Sequence, residues 1–211
     1  MAHIHHFTFN PFQENTWVIS EGREAIVIDP GCWTTAEEHA LEAYLDENGL
    51  TPVRLVLTHA HLDHVFGCAW MHTRYGLLPQ LHATDLPILR NAERQGRMYG
   101  VACAPVPEPE EFLKEGDTIT LGNTELRILF VPGHAPGHIA LWCEKERFIV
   151  SGDVLFHRSI GRTDLPGGNM DTLLASIREK LFTLPPETVV HCGHGPDTTI
   201  GEEVRLNPFL R

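Results

Sequence analysis

The chain has 211 residues, a formal net charge of −12 and five cysteines. This charge argues against nucleic acids and anionic membrane surfaces as partners, because their phosphates require a basic surface. The sequence has no apolar run of about 18 residues, and its N-terminus has no basic segment followed by an apolar one, so we expect neither a membrane span nor a secretory signal. We therefore expect one cytoplasmic domain over residues 1–211, favoured as a monomer, with its odd number of cysteines as free thiols.

Apolar periodicity and turn residues predict a mixed α/β chain. The predicted elements are, in chain order, strands at 3–9, 15–20 and 25–28, a helix at 34–48, a strand at 53–57, a helix at 62–75, a strand at 80–83, a helix at 85–97, strands at 125–131, 139–143 and 147–150, a helix at 170–184 and a strand at 188–190. The Pro- and Glu-rich stretch at 104–111 is expected to be a loop, because strand patterns resume after it. Strands come first and then alternate with helices, which predicts two sheet layers with helices outside.

The segment Thr58-His59-Ala60-His61-Leu62-Asp63-His64 places three imidazoles and one carboxylate within six consecutive positions. It directly follows the apolar run at 53–57, which is a predicted buried strand. Neutral imidazole and ionised carboxylate are the ligands that zinc, iron and manganese accept. Burying so many polar groups without a partner is costly, so the cluster predicts a metal site at the end of this strand.

Three further predicted strands end in ligand-type residues beside glycine or proline, namely His134 in Pro-Gly-His, Asp153 in Ser-Gly-Asp and His194 in Gly-His-Gly-Pro. Glycine lets the chain turn sharply at these points, and residues at one edge of a sheet converge even when they are distant in sequence. Together with the first segment they supply five histidines and two aspartates, enough for two metal ions that share a carboxylate. Two cations about 3.5–4 Å apart activate a water, so this set predicts hydrolytic chemistry.

These motifs, in this order and across essentially the whole chain, resemble those of the metallo-β-lactamase superfamily. The resemblance implies an αββα four-layer sandwich, with two mixed sheets, helices on the outer faces and the site at one edge of the paired sheets. The metal ligands that it implies are His59, His61 and His134 for one ion, Asp63, His64 and His194 for the second, and Asp153 as the bridge. Zinc is the expected metal, with iron or manganese as alternatives.

Two segments indicate a subfamily within this superfamily. Residues 154–169 and 195–209 are similar to the short glyoxalase II-like group, which are relatives of hydroxyacylglutathione hydrolase. This similarity implies cleavage of a small thioester such as S-lactoylglutathione by a metal-bridging hydroxide, with Asp63 and Asp153 as the catalytic carboxylates. The full-length enzyme adds a C-terminal helical domain that helps to hold glutathione. We expect that domain to be missing from a chain of this length, so the thioester chemistry carries over better than the glutathione specificity.

Two other functions stay open. The segment at 161–164, Gly-Arg-Thr-Asp, also occurs in the persulfide dioxygenase branch, which holds a single iron at positions corresponding to His59, His134 and Asp153. A metal-stabilised relative without activity is the second alternative, although the complete ligand set argues against it. Metal content and turnover of test substrates distinguish the three functions.

Three residues outside the ligand set are candidates for supporting roles. Arg162 is a candidate for binding a substrate carboxylate, with an ion pair to Asp164 as the alternative. Asp29 is a candidate for orienting a ligand histidine, with a turn-forming role as the alternative. His138 is expected to support the ligands or the fold, because the ligand set is complete without it.

Overall fold

The computed structural model describes residues 1–210. The elements are, in chain order, β1 (His3–Phe9), β2 (Glu14–Glu21), β3 (Glu24–Ile28), α1 (Thr35–Glu47), β4 (Thr51–Val56), α2 (Cys68–Tyr75), β5 (Pro79–Gln80), α3 (Leu86–Leu89), α4 (Ala92–Tyr99), β6 (Thr118–Leu121), β7 (Thr124–Phe130), β8 (Ile139–Cys143), β9 (Phe148–Gly152), β10 (Leu155–Phe156), β11 (Ser159–Ile160), α5 (Met170–Ser176), β12 (Val189–Cys192), β13 (Thr198–Thr199) and α6 (Ile200–Leu206). Within these residues, no helix combines the length and the apolar character that crossing a membrane requires.

Two large sheets carry the fold. The first has the strand order β1-β2-β3-β4-β5, in which the first three strands are antiparallel and the last two join in parallel. The second has the order β13-β12-β9-β8-β7-β6, and only the pairing of β12 with β9 is parallel. Both sheets are therefore mixed, and β10 and β11 form a separate ribbon.

Apolar side chains point alternately to the two faces of each sheet, so a core lies on each side of each sheet. On β2, Trp17 and Ile19 pack in the core between the two sheets, whereas Val18 packs in the core that includes α1 and α2. On β8, Leu141 faces the core between the sheets and Ala140 faces the core that includes α5. Successive side chains of a strand point to opposite faces, so both sheets are covered on both sides. The four layers are helix, sheet, sheet and helix, which confirms the expected fold class.

The prediction of one helix over 62–75 is wrong in its first half. Residues Leu62–His64 form a single 3-10 turn, and α2 begins only at Cys68. The amide of Gly67 donates to the carbonyl of Pro30 at 2.7 Å, and a Cβ at position 67 would overlap the sulfur of Cys32. This close contact with the loop after β3 fixes the backbone at Gly67. The α-helix therefore begins only after that residue.

Other departures also occur at element ends. The helix predicted at 85–97 is divided into α3 and α4, and α4 continues to Tyr99 before Gly100 ends it in the left-handed region. The helix predicted at 170–184 is α5 followed by a π-helical turn at Ile177–Leu181. The sequence analysis also missed β6, β10, β11, β13 and α6, most of which are too short to show a periodic pattern.

Candidate metal centre

The seven side chains predicted as metal ligands lie together at one edge of the two sheets. Each follows the C-terminal end of a strand, and their positions are His59, His61, Asp63 and His64 after β4, His134 after β7, Asp153 after β9 and His194 after β12. The structure therefore brings together residues that are up to 135 positions apart, as the strand-end pattern predicted.

Three imidazoles form a first group. His61 Nδ1 lies 2.8 Å from His134 Nε2, which lies 3.2 Å from His59 Nε2. The opposite nitrogens of two rings already have partners, since His134 Nδ1 donates to the carbonyl of Arg162 at 2.7 Å and His59 Nδ1 lies 3.1 Å from Thr58 Oγ1. The Nε2 atoms of these rings then carry lone pairs that face one another. Such lone pairs repel, so the group fits a cation at its centre.

Burial keeps this first group in the form that metals bind. Burial, followed by the charges of neighbouring histidines, lowers the pKa of His59 well below its usual value. Burial likewise lowers the pKa of His61 to about 3, and it lowers the pKa of His134. Because burial disfavours the charged imidazolium, these rings are neutral at pH 7 and available as ligands.

A second group contains two imidazoles and two carboxylates. His194 Nε2 lies 3.1 Å from Asp63 Oδ2 and 3.4 Å from Asp153 Oδ2. His64 Nε2 lies 3.4 Å from Asp153 Oδ1, and both of these buried atoms are without a hydrogen-bond partner among residues 1–210. Leaving buried polar atoms unpaired is costly. A cation held between these carboxylates and imidazoles satisfies them, so this group fits a second metal ion.

Asp153 lies between the two groups. Its Oδ2 atom is 3.6 Å from His134 Nε2 and 3.4 Å from His194 Nε2, while its Oδ1 atom faces His64. The carboxylates create a strongly negative site. Burial lowers the pKa of His194, but Asp153 and Asp63 outweigh it and raise that pKa to about 10. The same negative potential attracts a metal cation.

Loop carbonyls orient one histidine in each group. His134 Nδ1 donates to the carbonyl of Arg162, and His194 Nδ1 lies 3.1 Å from the carbonyls of both Phe12 and Gln13. A hydrogen bond to the outer ring nitrogen fixes both the tautomer and the direction of the inner nitrogen. These backbone contacts were not predicted, because nothing in the sequence of a loop marks which of its carbonyls will face a ring.

Asp29 is fully buried behind the ligands. Its Oδ1 atom accepts from the amide of Thr58 at 2.7 Å, and its Oδ2 atom accepts from the Thr58 hydroxyl at 2.6 Å. His64 Nδ1 lies 3.1 Å from the same Oδ2 atom, and Thr58 Oγ1 also meets His59 Nδ1. These contacts place the Asp29 carboxylate where the orienting role requires it, and its φ of 51° also fits the turn-forming alternative. Thr58 is a positioning residue that the sequence analysis missed, although it directly precedes the first histidine of the motif.

Substituting Asp29→Asn is expected to weaken metal binding about tenfold to a hundredfold, because one carboxylate acceptor becomes an NH₂ group that faces donors. Competition with a chromophoric chelator measures this change. Asp46→Asn, an exposed aspartate of α1, is the matched control and is expected to bind metal as the wild type does. An unchanged affinity in Asp29→Asn would show that this carboxylate does not orient the ligands.

His138 contacts the ring of His59 and the backbone of Asp153. Its ring stacks on that of His59, with centroids 4.6 Å apart and planes 16° from parallel. Its Nδ1 atom lies 3.1 Å from the carbonyl of Ile139, and its Nε2 atom accepts from the amide of Asp153 at 3.1 Å. His138 therefore holds the backbone of Asp153 in place and contacts neither group as a ligand.

Arg162 forms an ion pair with Asp164, the alternative to substrate binding. Its Nε and Nη2 atoms each lie 2.7 Å from a carboxylate oxygen of Asp164, and both side chains are exposed. Its contribution to the metal centre is the backbone carbonyl that accepts from His134.

Asp85 joins the two loops that carry the first group of ligands. Its Oδ2 atom accepts from the amide of Ala60 at 2.9 Å and its Oδ1 atom from the amide of Gly137 at 2.5 Å. The side chain is completely buried. Asp85 was not predicted, because its partners are 25 and 52 positions away and no local pattern connects them.

Burial raises the pKa of Asp85 to about 6, although its two backbone hydrogen bonds act in the opposite direction. The folded state therefore binds this proton more tightly than the unfolded chain does. The resulting stabilisation is complete below about pH 4 and is lost as the pH rises through about 6. Between pH 4 and pH 7, the free energy of unfolding of the wild type is expected to fall by about 2.4 kcal/mol relative to that of Asp85→Asn. Urea unfolding of both proteins in chelator measures this difference, and parallel pH profiles would contradict it.

A cavity of about 740 Å³ opens beside the two groups, with Asp63, Asp153 and His194 in its wall. Its size is in the range of small-molecule sites. The other walls come from the turn between β1 and β2, from α3 and α4, and from the β10–β11 ribbon with the loop that follows it.

Comparisons with known proteins agree with this geometry. A sequence profile of the metallo-β-lactamase superfamily matches residues 9–194. The chain is 39% identical over 201 residues to the probable metallo-hydrolase YqgX of Bacillus subtilis, covering 95% of this chain and 93% of that protein. It is 36% identical over 202 residues to the hydroxyacylglutathione hydrolase GloC of Haemophilus influenzae, covering 94% and 93%.

Solved structures extend the comparison. The BLEG-1 B3 metallo-β-lactamase superposes with a TM-score of 0.90 at 36% identity, over 99% of both chains. TTHA1623 in a di-iron-bound form superposes with a TM-score of 0.88 at 41% identity, over 98% of this chain and 100% of that one.

Proposed function

Because this chain belongs to the metallo-β-lactamase superfamily, we propose that it is a binuclear metal-dependent hydrolase that cleaves a small thioester. The observation that carries the proposal is the position of Asp153, whose two oxygens face ligand nitrogens of both groups. The relative named hydroxyacylglutathione hydrolase supports a thioester and makes S-lactoylglutathione the reference substrate. Zinc is the proposed metal, and the di-iron-bound form of TTHA1623 supports iron as the alternative.

Two bound cations would supply a Lewis acid and lower the pKa of a water to near 7. The chain's own residues would hold these ions in two sets, with His59, His61 and His134 for the first, Asp63, His64 and His194 for the second, and Asp153 between them. Asp63 also lies in the cavity wall, where its carboxylate can orient a water toward a bound substrate. A thiolate is a good leaving group, since thiols have a pKa near 8.5, so no side chain needs to protonate it.

The proposal favours two metals over the single iron of the persulfide dioxygenase branch. By resemblance, that branch would hold its iron with only three of the seven predicted ligand positions. Here a complete second group faces the same centre, and the buried His64 Nε2 has no partner within residues 1–210. A mononuclear site would leave that nitrogen unpaired at a cost of about 1–3 kcal/mol.

The test combines metal analysis with a thiol-release assay on S-lactoylglutathione. The expected result is about two metal ions per chain and hydrolysis that a chelator abolishes. His194→Ala is expected to lose one ion and to lower kcat by orders of magnitude, while His72→Ala, an exposed histidine of α2, serves as the matched control. A wild-type kcat in His194→Ala, or oxygen uptake with glutathione persulfide without thioester cleavage, would overturn the proposal.

A further inference from the structure

The cavity beside the metal centre is mainly apolar away from the ligands. Its aliphatic and aromatic lining includes Phe12, Leu62, Ile88, Met98, Tyr99 and Phe156. Asn91, Gln95 and Ser159 supply its uncharged polar groups. Because a site binds by matching the character of its ligand, this wall suits aliphatic groups better than ionised ones.

The cavity provides little to recognise carboxylates. Of its lining residues in the described part of the chain, Arg162 alone carries a permanent positive charge, and the Nε–Nη2 edge of its guanidinium is already paired with Asp164. Glutathione carries two carboxylates, and proteins bind such groups with free arginine forks or other charged donors. The formal charge of −12 further disfavours an anionic substrate.

The apolar wall extends from the mouth of the cavity to the ligands. The side chains of Met98 and Tyr99 are 76% and 59% exposed, and the Tyr99 ring meets that of Phe12 edge to face at 6.4 Å. At the inner end, the ring of Phe156 lies 6.1 Å from that of His194. A chain of several carbons can therefore stay in apolar contact from the reacting carbonyl outward.

From this lining we infer that the substrate is a thioester of an aliphatic acid carried on an uncharged thiol, in preference to a glutathione thioester. The inference rests on the proposed thioester hydrolysis at the same centre. In that reaction the acyl C–S bond breaks and an acyl C–O bond forms. Water supplies the oxygen to the acid and a proton to the departing thiolate, so no further reactant is required.

Four thioesters test the inference with the metal-loaded full chain: lactoyl and hexanoyl groups, each on glutathione and on N-acetylcysteamine. Each buried methylene corresponds to about a fourfold gain. We therefore expect kcat/KM to be at least about tenfold higher for hexanoyl than for lactoyl on either thiol, and higher for N-acetylcysteamine than for glutathione with either acyl group. A ratio of one or less in either comparison overturns the inference while the hydrolase proposal stands. If none of the four is cleaved with two metals bound, the proposed function itself fails.

A substitution at the mouth of the cavity tests the role of its apolar lining. Met98→Gln is expected to lower the hexanoyl-to-lactoyl ratio of kcat/KM at least about threefold, because it places an amide where the chain would lie. Met170→Gln makes the same change at an exposed methionine that does not line the cavity, and it is expected to keep the wild-type ratio. An identical ratio in Met98→Gln and in the wild type would count against the inference, whatever the absolute rates.

Discussion

Substituting Asp153→Asn is expected to lower kcat for thioester hydrolysis about a thousandfold and to reduce the bound metal below two ions per chain. The carboxylate faces His134 and His194 through one oxygen and His64 through the other. An amide presents one weaker acceptor and an NH₂ group in these positions and removes a negative charge between two cations. Several kcal/mol of transition-state stabilisation by the metals then disappear, which corresponds to about three orders of magnitude in rate.

Metal analysis and steady-state kinetics on the same preparation measure both effects. Asp197→Asn is a suitable control, because that aspartate is exposed and pairs with His191 outside the two ligand groups. A variant at Asp153 that retains two ions and a wild-type kcat would mean that this carboxylate does not bridge. Full metal content with the rate lost would instead assign Asp153 a role in the reaction without a role in holding metal.

Substituting Gly133→Ala is expected to destabilise the protein by at least about 4 kcal/mol, an exceptional value for a single methyl group. Gly133 has a φ of 136°, a region that residues with a Cβ rarely adopt. A Cβ there would also overlap the backbone N and Cα of Leu173 in α5, which cannot move as a flexible side chain can. His134 follows directly, so any shift of this turn displaces a ligand of the first group.

Gly116→Ala is the matched control for this prediction. Gly116 also has a positive φ, 84°, but a Cβ there meets nothing within 4 Å, so the substitution is expected to cost only about 1–2 kcal/mol. Urea unfolding of both variants separates the free-energy cost of the steric overlap from that of the backbone strain. Similar unfolding midpoints in the two variants would show that α5 adapts to the extra methyl group.

Much of the candidate metal centre was predictable because its predicted ligands are dense in one segment or stand beside glycine at strand ends. The His59-to-His64 motif needs no structure to be recognised, and the rule that strand ends meet at a sheet edge brought His134, Asp153 and His194 to it. The fold class followed from the order of strands and helices and from the family resemblance. These are signals that either repeat along the chain or concentrate within a few residues.

The supporting contacts could not be predicted, for a physical reason. Asp85 and Thr58 act through hydrogen bonds to backbone or hydroxyl groups, and almost any polar side chain can make such bonds. Their partners are set by how loops pack, which periodicity does not record. The same packing delays the start of the helix predicted at 62–75 until Cys68, because the close contact of Gly67 with Cys32 depends on two segments that meet only in the folded chain.

The carbonyls that orient His134 and His194 belong to Arg162, Phe12 and Gln13, and two of these three residues also line the cavity. Evolution or engineering that exchanges these loops to admit a different substrate therefore also rotates an imidazole in each metal group. We therefore expect substrate range and metal retention to be linked in this protein. Loop grafts that broaden its substrates should be screened first for metal content, and compensating changes should be sought behind the histidines rather than in the cavity wall.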